Sequence, residues 1–219
     1  MTRKSDDMRL RYDEGCLAVH ALNQIGDRWA LLVVRELTFV PKRFQMLRHG
    51  LPGITAGVLT ARLVQLQKAG VVEHDERLGV YSLSEAGRGL LPVLEALCRW
   101  ALTIPGHDPS RFISPTALMI SMGVNLQRQR VQEGQYLAGF AFGKEAFEAS
   151  IVDHQLVTVA VARPKAPFVL KSSGNGMAAA VYGPVPLSLQ MAQGTVGVEG
   201  DIAAAQTFLD LFQLLPQPA

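Results

Sequence analysis

Residues 43–63 read RFQMLRHGLPGITAGVLTARL, and this stretch decides the fold. A short helix containing Phe44 and Leu47 is followed by a turn at LPGIT, after which Thr55 is a suitable N-cap for a longer helix. The apolar face of that helix is formed, at three- and four-residue intervals, by Ala56, Leu59, Leu63 and Leu66. Gly70 suits its C-terminal end, because glycine readily adopts the left-handed conformation found there. The stretch therefore predicts two helices joined by a tight turn.

Further helices and a hairpin surround this pair. Upstream, residues 16–25 and 29–37 repeat apolar side chains at helical spacing and predict two more helices. Downstream, residues 71–74 and 80–83 are short β-like runs around ERLG, in which Gly79 suits a hairpin turn. Three helices, a two-stranded hairpin and flanking helices are the elements of a winged helix-turn-helix fold.

A long helix and a linker are expected next. Ser84 is predicted to cap the helix, in which Pro92 either introduces a kink or lies near the first turns. Its apolar stripe consists of Leu90, Leu91, Leu94, Leu97 and Ala101. Residues 103–115, TIPGHDPSRFISP, have the Pro, Gly, Ser and Asp content of an interdomain linker. We therefore expect one domain over residues 1–104 and a second over residues 111–219.

The second half has a different pattern. GQYLAGFAFG alternates apolar and other residues as a half-buried strand does, and Asp153, His154 and Gln155 separate two β-like runs as in a hairpin. Further strands are expected in FVLKSS and TVGVE. Helices are expected at residues 116–125, as two short segments within residues 176–193, and from Asp201 through Leu214. This order predicts an α+β fold, a mostly antiparallel sheet with helices on one side.

Composition limits the possible classes of protein. Charged residues make up 18% of the 219-residue chain and hydrophobic residues 48%, which is typical of a folded globular protein. Lys and Arg number 14 against 12 Asp and Glu in residues 1–110, but 7 against 7 in residues 111–219. The charge is thus concentrated in the first half. With no apolar run of membrane-spanning length and no signal-peptide pattern, we expect a cytoplasmic protein.

Residues 16–101 resemble the HxlR family of transcriptional regulators. The resemblance rests on IGDRW at 25–29, LLVVREL at 31–37, the stretch quoted above, VLTARL at 58–63 and YSLSEAGRGLLPVL at 81–94. It implies a homodimer, paired through the first and last helices of the module, that binds double-stranded DNA with residues 55–69 in the major groove. The DNA-contacting residues implied on this basis are Arg43, Arg48, Thr55, Thr60, Arg62, Gln65, Lys68 and, at the wing tip, Arg77.

The sequence departs from the family pattern in two places. Ala56, Gly57 and Ala61 stand where family members commonly have polar or basic residues, and the ERLG hairpin is shorter than the usual wing. Both departures reduce direct base contacts and favour contacts to the DNA backbone and recognition of DNA shape. An alternative role for Arg62 is an ion pair with a neighbouring carboxylate.

The second half resembles a sterol-carrier-protein-like domain, through IVDHQLVTVAV, RPKAPFVLKSS and the ending GTVGVEGDIAAAQTFLDLF. This resemblance implies an apolar cavity for a lipid-like ligand. Candidate lining residues, chosen because Phe and Met adapt to apolar ligands, are Phe140, Phe142, Phe147, Phe168, Met177, Tyr182, Leu187 and Met191. The alternative is that these side chains form ordinary core.

The remaining motifs carry less weight. Gly-Asn-Gly-Met-Ala-Ala at 174–179 imitates a dinucleotide-binding motif, but Pro184 and Pro186 interrupt the helix that such a motif needs. Neither the histidines nor the two cysteines have metal-ligand spacing, so we expect no metal and no cofactor. Cys16 is a candidate redox-sensing thiol, because a thiol near a helix N-terminus can have a lowered pKa; a buried inert thiol is the alternative.

The sequence leads to two hypotheses. In the first, the protein is a non-enzymatic, homodimeric DNA-binding regulator whose second domain binds a small apolar effector. In the second, it binds small molecules or lipids and uses the winged helix mainly for dimerisation. No nucleophile, base and orienting group occur in a recognisable order.

Overall fold

The computed structural model describes residues 12–214, so the parts of the two predicted domains that fall in residues 1–11 and 215–219 lie outside the described residues. The first half contains α1 (Leu17–Ile25), α2 (Ala30–Leu37), α3 (Phe44–His49), α4 (Ala56–Lys68), β1 (Val72–Asp75), β2 (Val80–Leu83), α5 (Glu85–Arg88) and α6 (Leu91–Ala101). The second half contains α7 (Pro115–Asn125), a 3₁₀ turn (Arg128–Arg130), β3 (Leu137–Ala141), β4 (Ala146–Val152), β5 (Gln155–Ala160), β6 (Phe168–Lys171), α8 (Gly174–Tyr182), α9 (Leu187–Ala192), β7 (Gly197–Gly200) and α10 (Ile202–Leu209).

The turn signals of the first half act as predicted. The Thr55 side chain accepts a hydrogen bond from the Val58 amide at the start of α4. Gly70 follows that helix with φ +69°, and Gly79 turns the wing with φ +65°. β1 and β2 pair antiparallel, and Lys42 forms an isolated bridge to Tyr81 of β2. The first half is a winged helix-turn-helix.

Two predicted helix boundaries are wrong. Ser84 caps only the four-residue α5, since its side chain accepts a hydrogen bond from Gly87, and a separate helix α6 follows with Pro92 in its first turn. The final helix does not run through Leu214. It ends at Leu209, and Leu126 forms an isolated bridge to Phe212, so the residues after the helix pair with another part of the chain.

The second half is built on a five-stranded sheet in the order β5-β4-β3-β6-β7. β3 and β6 are parallel and the other neighbours are antiparallel, so the fold is α+β with a mostly antiparallel sheet, as predicted. Asp153 and His154 both have positive φ in the tight turn between β4 and β5. One face of the sheet packs into a core with α7, α8 and α10, whereas Val157 and Val159 of the edge strand β5 are exposed on the opposite face.

The two halves pack against each other. Residues 102–114 contain no helix or strand, yet the Asn175 side chain bonds the backbone of Ser110, Arg111 and Ile113 and holds this connection against α8. Ile120 of α7 is 4% exposed and belongs to the winged-helix core. Helix α7 is therefore shared by both cores.

Within residues 12–214, no helix has both the length and the apolar character needed to cross a lipid bilayer. In the same part of the chain, no group of three or more His, Cys, Asp or Glu side chains is arranged to hold a metal ion.

Candidate nucleic-acid interface

Helix α4 presents one face to solvent. Leu59, Leu63 and Leu66 of this helix are buried against the winged-helix core. The exposed stripe follows the helical repeat through Gly57, Ala61, Val64 and Lys68, with Thr60 and Gln67 beside it. Ala56, predicted on the buried face, is exposed. The outward surface is thus mostly small and apolar.

Arg62 does not lie on this outward face. The side chain is 11% exposed, and its Nε lies 3.4 Å from Oδ1 of Asp27, the residue three before α2. Its guanidinium also donates to the side-chain oxygen of Gln65. The outward placement predicted for Arg62 is wrong, and the alternative of an ion pair with a neighbouring carboxylate is confirmed.

Gln65 is also directed inward. Its Nε2 donates to the backbone carbonyl oxygen of Gln24 at 2.9 Å, and the residue is half-buried. A signal for the inward placement of Arg62 is present in the sequence. Arg62 lies three residues after Leu59 and four before Leu66, which puts it on the buried side of the helix.

The other predicted DNA-contacting residues are exposed. Arg43 is the N-cap of α3, and Arg48 lies in its last turn. Thr55 caps α4, and Thr60 donates its hydroxyl to the Ala56 carbonyl at 2.9 Å. The exposed set is completed by Lys68 at the end of α4 and Arg77 in the wing turn.

Sequence reasoning did not identify two exposed residues of the α4 face. Val64 is 44% exposed, although an apolar residue is more often assigned to the core. Gln67, the next-to-last residue of the helix, is exposed. Both positions follow from helical spacing once Leu59, Leu63 and Leu66 are placed on the buried face.

The apolar candidates of the second half are mainly core residues. Five of them are at most 3% exposed and are packed in one cluster: Phe140, Phe147, Phe168, Met177 and Leu187. Phe142, Tyr182 and Met191 are partly buried against the same cluster. The Phe140 ring packs on Phe208 with centroids 6.2 Å apart.

A cavity of about 680 Å³ lies beside the turn between α8 and α9. Of the eight candidates, Tyr182 is the one that lines it, together with Pro184, Val185, Leu209 and Phe212. Arg130, Asp210 and Gln213 supply polar atoms to the wall. The Tyr182 hydroxyl lies 3.0 Å from the Ser121 hydroxyl, and burial raises the pKa of this phenol well above its ordinary range.

The two thiols lie in different environments. Cys16 is the exposed N-cap residue of α1, and the backbone amides of Val19 and Ala18 lower the pKa of its thiol because they favour the thiolate. Cys98 of α6 is partly buried, and desolvation raises its pKa. The buried position considered as the alternative for Cys16 is wrong.

Comparison with known proteins assigns the first half of the chain to a family. The profile of the HxlR-like helix-turn-helix family matches residues 24–107. An uncharacterized HTH-type transcriptional regulator of Methanothermobacter thermautotrophicus is 32% identical over 98 residues, which cover 42% of this chain and 75% of the relative.

Two solved structures are also similar. Quinone-bound YodB from B. subtilis is 32% identical with a TM-score of 0.35, and the match covers 37% of this chain and 91% of YodB. The inverting sec-alkylsulfatase Pisa1 from Pseudomonas sp. is 17% identical with a TM-score of 0.44, and the match covers 90% of this chain and 29% of Pisa1.

Proposed function

This chain belongs to the HxlR-like helix-turn-helix family, and we propose that it is a homodimeric transcriptional regulator that places α4 of each protomer in the major groove of operator DNA. The observation that carries the proposal is the solvent-exposed face of α4, between exposed basic residues of α3 and the wing. A winged helix presents the second helix of its helix-turn-helix pair in this way, and here that helix is α4. A two-fold dimer doubles the contact area on a palindromic site.

The basic residues around α4 are suited to phosphate contacts. Arg43 and Arg48 precede the helix, Lys68 ends it, and Arg77 lies in the wing turn. No salt bridge within residues 12–214 engages any of these four side chains. Cationic side chains that bind phosphates release counterions from DNA, so they strengthen binding to any sequence and make it depend on salt.

Base contacts come from the small apolar stripe. Ala61 and Val64 expose methyl groups, and the Thr60 hydroxyl is already bonded to the backbone. Apolar side chains recognise the C5-methyl group of thymine, the one apolar group on the base edges of the major groove. We therefore propose that sequence preference arises from thymine methyl contacts and DNA shape rather than from bidentate hydrogen bonds.

The dimer interface is formed by α1 and α6. Both helices expose large apolar side chains that a second copy of the chain would cover. These are Leu17, Leu22, Val93, Leu97 and Trp100, with exposed fractions from 41% to 85%.

The effector site is the cavity beside the α8–α9 turn. Its volume of about 680 Å³ is within the range of small-molecule sites. Apolar atoms of Val185, Leu209 and Phe212 suit the apolar body of a ligand. Arg130, which donates to the Asp210 carbonyl and to the Gln213 side chain, supplies the positive charge for a polar end. A ligand there regulates DNA binding only if it has different affinities for two arrangements of the dimer.

Selection of bound fragments from genomic DNA tests the proposal. The full chain at modest salt is expected to enrich a palindromic sequence over non-specific DNA. A variant with Arg43, Arg48 and Lys68 changed to Ala is expected to enrich none. An absence of enrichment by the wild-type chain would contradict the regulator and favour a small-molecule-binding protein that uses the winged helix mainly for dimerisation.

A second candidate function is electrophile sensing through Cys16. The thiol is exposed at the start of α1 and its pKa is lowered, so the thiolate is available to attack the carbon of an alkylating electrophile. The C–S bond of a thioether forms as the bond from that carbon to its leaving group breaks, and the leaving group departs with the electron pair. Because α1 belongs to the proposed dimer interface, an adduct at Cys16 would change the relative position of the two α4 helices. Treating DNA-bound protein with an alkylating reagent tests this: release of the DNA from the wild type but not from Cys16→Ser supports it.

A further inference from the structure

A buried ionic cluster lies where the two halves of the chain meet. Lys42, which immediately precedes the N-cap residue of α3, is 1% exposed, and Glu36 of α2 is fully buried. The Lys42 ammonium lies 3.1 Å from Oε2 of Glu36, 3.0 Å from Oγ1 of Thr116 and 2.6 Å from Oε2 of Glu145. Two of these contacts are hydrogen bonds that the ammonium donates, to Glu36 and to Thr116, and the contact with Glu145 is an ion pair.

Two of the three Lys42 partners come from the second half. Thr116 lies in the first turn of α7, and Glu145 immediately precedes β4. Glu36 is held across the same boundary, since its Oε1 accepts a hydrogen bond of 2.6 Å from Ser114, the N-cap residue of α7.

The second half also supplies the charge that neutralises the cluster. Arg35 donates to Glu36 at 2.9 and 3.0 Å, so the first half alone contributes two cations and one anion. Glu145 adds the second anion. A buried charge without a counter-charge is strongly unfavourable, so the packing of the second half and the position of Lys42 depend on each other.

The backbone of Lys42 belongs to the DNA-contacting region. Its N–H donates to the Tyr81 carbonyl and its carbonyl accepts from the Tyr81 N–H, each at 2.9 Å, which joins it to wing strand β2. The next residue, Arg43, is the N-cap residue of α3 and one of the exposed basic residues. A displacement of Lys42 therefore moves both the start of α3 and the wing.

Apolar side chains also pack where the two halves meet, and Lys42 and Glu36 are themselves excluded from solvent. Phe39 contacts both cores, and its ring meets that of Phe147 edge-on with centroids 6.1 Å apart. Charges excluded from water interact more strongly than charges on the surface, so the position of Lys42 is closely determined.

We propose that Lys42 is a positioning residue through which the second half of the chain sets the geometry of the wing and α3 on DNA. This inference rests on the proposed DNA-binding function. The second half then influences DNA affinity without contacting DNA, through Thr116 and Glu145. A ligand that shifts α7 or the β3–β4 turn changes DNA affinity by the same route.

Two variants of the full chain test the inference. Thr116→Val removes one acceptor with almost no change in shape, and Glu145→Gln removes the counter-charge. Glu133→Gln repeats the charge change at an exposed position, and Leu187→Ala weakens the core of the second half away from the cluster. DNA affinity is measured at a temperature at which circular dichroism shows every variant to be folded.

The expected result has two parts. Thr116→Val and Glu145→Gln weaken DNA binding by about 5- to 20-fold, the lower part of the usual range for coupling between sites, and the two controls bind as the wild type does. Amide hydrogen exchange increases at residues 42–49 and 80–83 in the two cluster variants but not in the controls.

Three outcomes are decisive. Wild-type affinity and exchange in both cluster variants would overturn the inference and leave the proposed function intact. Equal weakening by Leu187→Ala would overturn it too, because the effect would then be one of general stability. If the wild type binds no DNA sequence selectively, the proposed function fails, and the exchange at residues 42–49 and 80–83 still decides whether Lys42 connects the second half to the wing.

Discussion

The Nε of Arg62 lies 3.4 Å from Oδ1 of Asp27, so the arginine in the middle of α4 is directed into the protein. Asp27 Oδ1 also accepts the Trp29 amide at 2.9 Å, which connects α4 to the start of α2. Arg62 thus connects α4 with the segment that precedes α2. A residue that stabilises α4 is therefore distinct from the exposed residues proposed to contact DNA.

Replacing Arg62 should reduce stability more than DNA affinity. We expect Arg62→Ala to lower the free energy of unfolding by about 1–3 kcal/mol, because Asp27 and Gln65 lose a charged partner inside the protein. Urea denaturation gives the stability, and fluorescence anisotropy at several salt concentrations gives the salt slope of DNA binding. If the dependence of log affinity on log salt became weaker while the stability stayed unchanged, the role of Arg62 as a residue that stabilises α4 from inside the protein would be contradicted.

Replacing Arg48 should have the opposite effect. The side chain is exposed in the last turn of α3, so Arg48→Ala is expected to change stability by no more than about 0.5 kcal/mol. The loss of one phosphate contact should reduce the slope of log affinity against log salt by about 1 per protomer and weaken binding to all sequences alike. Arg163→Ala, which removes an exposed arginine of the second half, is the control. If both variants keep the wild-type slope, Arg48 does not contact phosphate.

Thymine methyl groups should contribute to sequence preference. In the selected operator, replacing thymine by deoxyuridine is expected to weaken binding about 4-fold for each methyl group in contact, on the basis of about 0.8 kcal/mol for a buried CH₂-sized group. The Val64→Ser variant should lose this difference, whereas Val159→Ser on the exposed sheet face should keep it. Equal affinity of the wild type for thymine and deoxyuridine operators at every position would exclude methyl recognition.

Dimerisation should depend on α6. Leu97→Glu combined with Trp100→Glu places two charges on an exposed apolar surface and is expected to give monomers in sedimentation experiments. Ile202→Glu changes an exposed apolar residue in the first turn of α10 and is expected to leave the dimer intact. A dimer that survives the double change would place the interface elsewhere.

The two cysteines should differ in reactivity. The lowered pKa of Cys16 increases its thiolate fraction near neutral pH, and its alkylation should slow only as the pH falls through that lowered pKa. The raised pKa of the partly buried Cys98 keeps it protonated over the same range. We expect iodoacetamide to label Cys16 first, as measured by mass spectrometry of peptides over time. Preferential labelling of Cys98 would contradict this assignment.

Local sequence signals predicted most of the fold. Thr55, Asp201, Gly70 and Gly79 occupy the cap and turn positions expected of them, because each acts through hydrogen bonds or φ values within a few residues. The cooperation of distant segments was harder to predict. Helix α10 ends at Leu209 rather than Leu214, since the following residues pair with a segment more than 80 positions earlier.

The candidate nucleic-acid interface shows the same limit: contacts between distant segments are not predicted by local sequence patterns. The sequence predicted Arg43, Arg48, Thr55, Thr60, Lys68 and Arg77 as exposed residues of one region, and they are exposed. The helical spacing of Arg62 from Leu59 and Leu66 indicates its inward position. Its partner Asp27, and the Gln24 carbonyl that Gln65 bonds, lie 35 and 41 residues away and are not identified by any local pattern. The apolar candidates of the second half were correctly placed near one another, but whether such side chains line a cavity or fill a core depends on packing.

By itself, the sequence determined the winged helix-turn-helix, the α+β second half and the small apolar face of α4, because hydrophobic period, caps and turn residues act locally. Only the tertiary structure decided that Lys42, next to an exposed arginine, is buried against Thr116 and Glu145. A basic residue beside a helix start looks the same in a sequence whether it meets water, phosphate or a buried carboxylate. The environment of Lys42 is determined by α7 and the β3–β4 turn, which lie more than 70 residues later in the chain. Their packing excludes water from Lys42 and leaves the carboxylates as its partners.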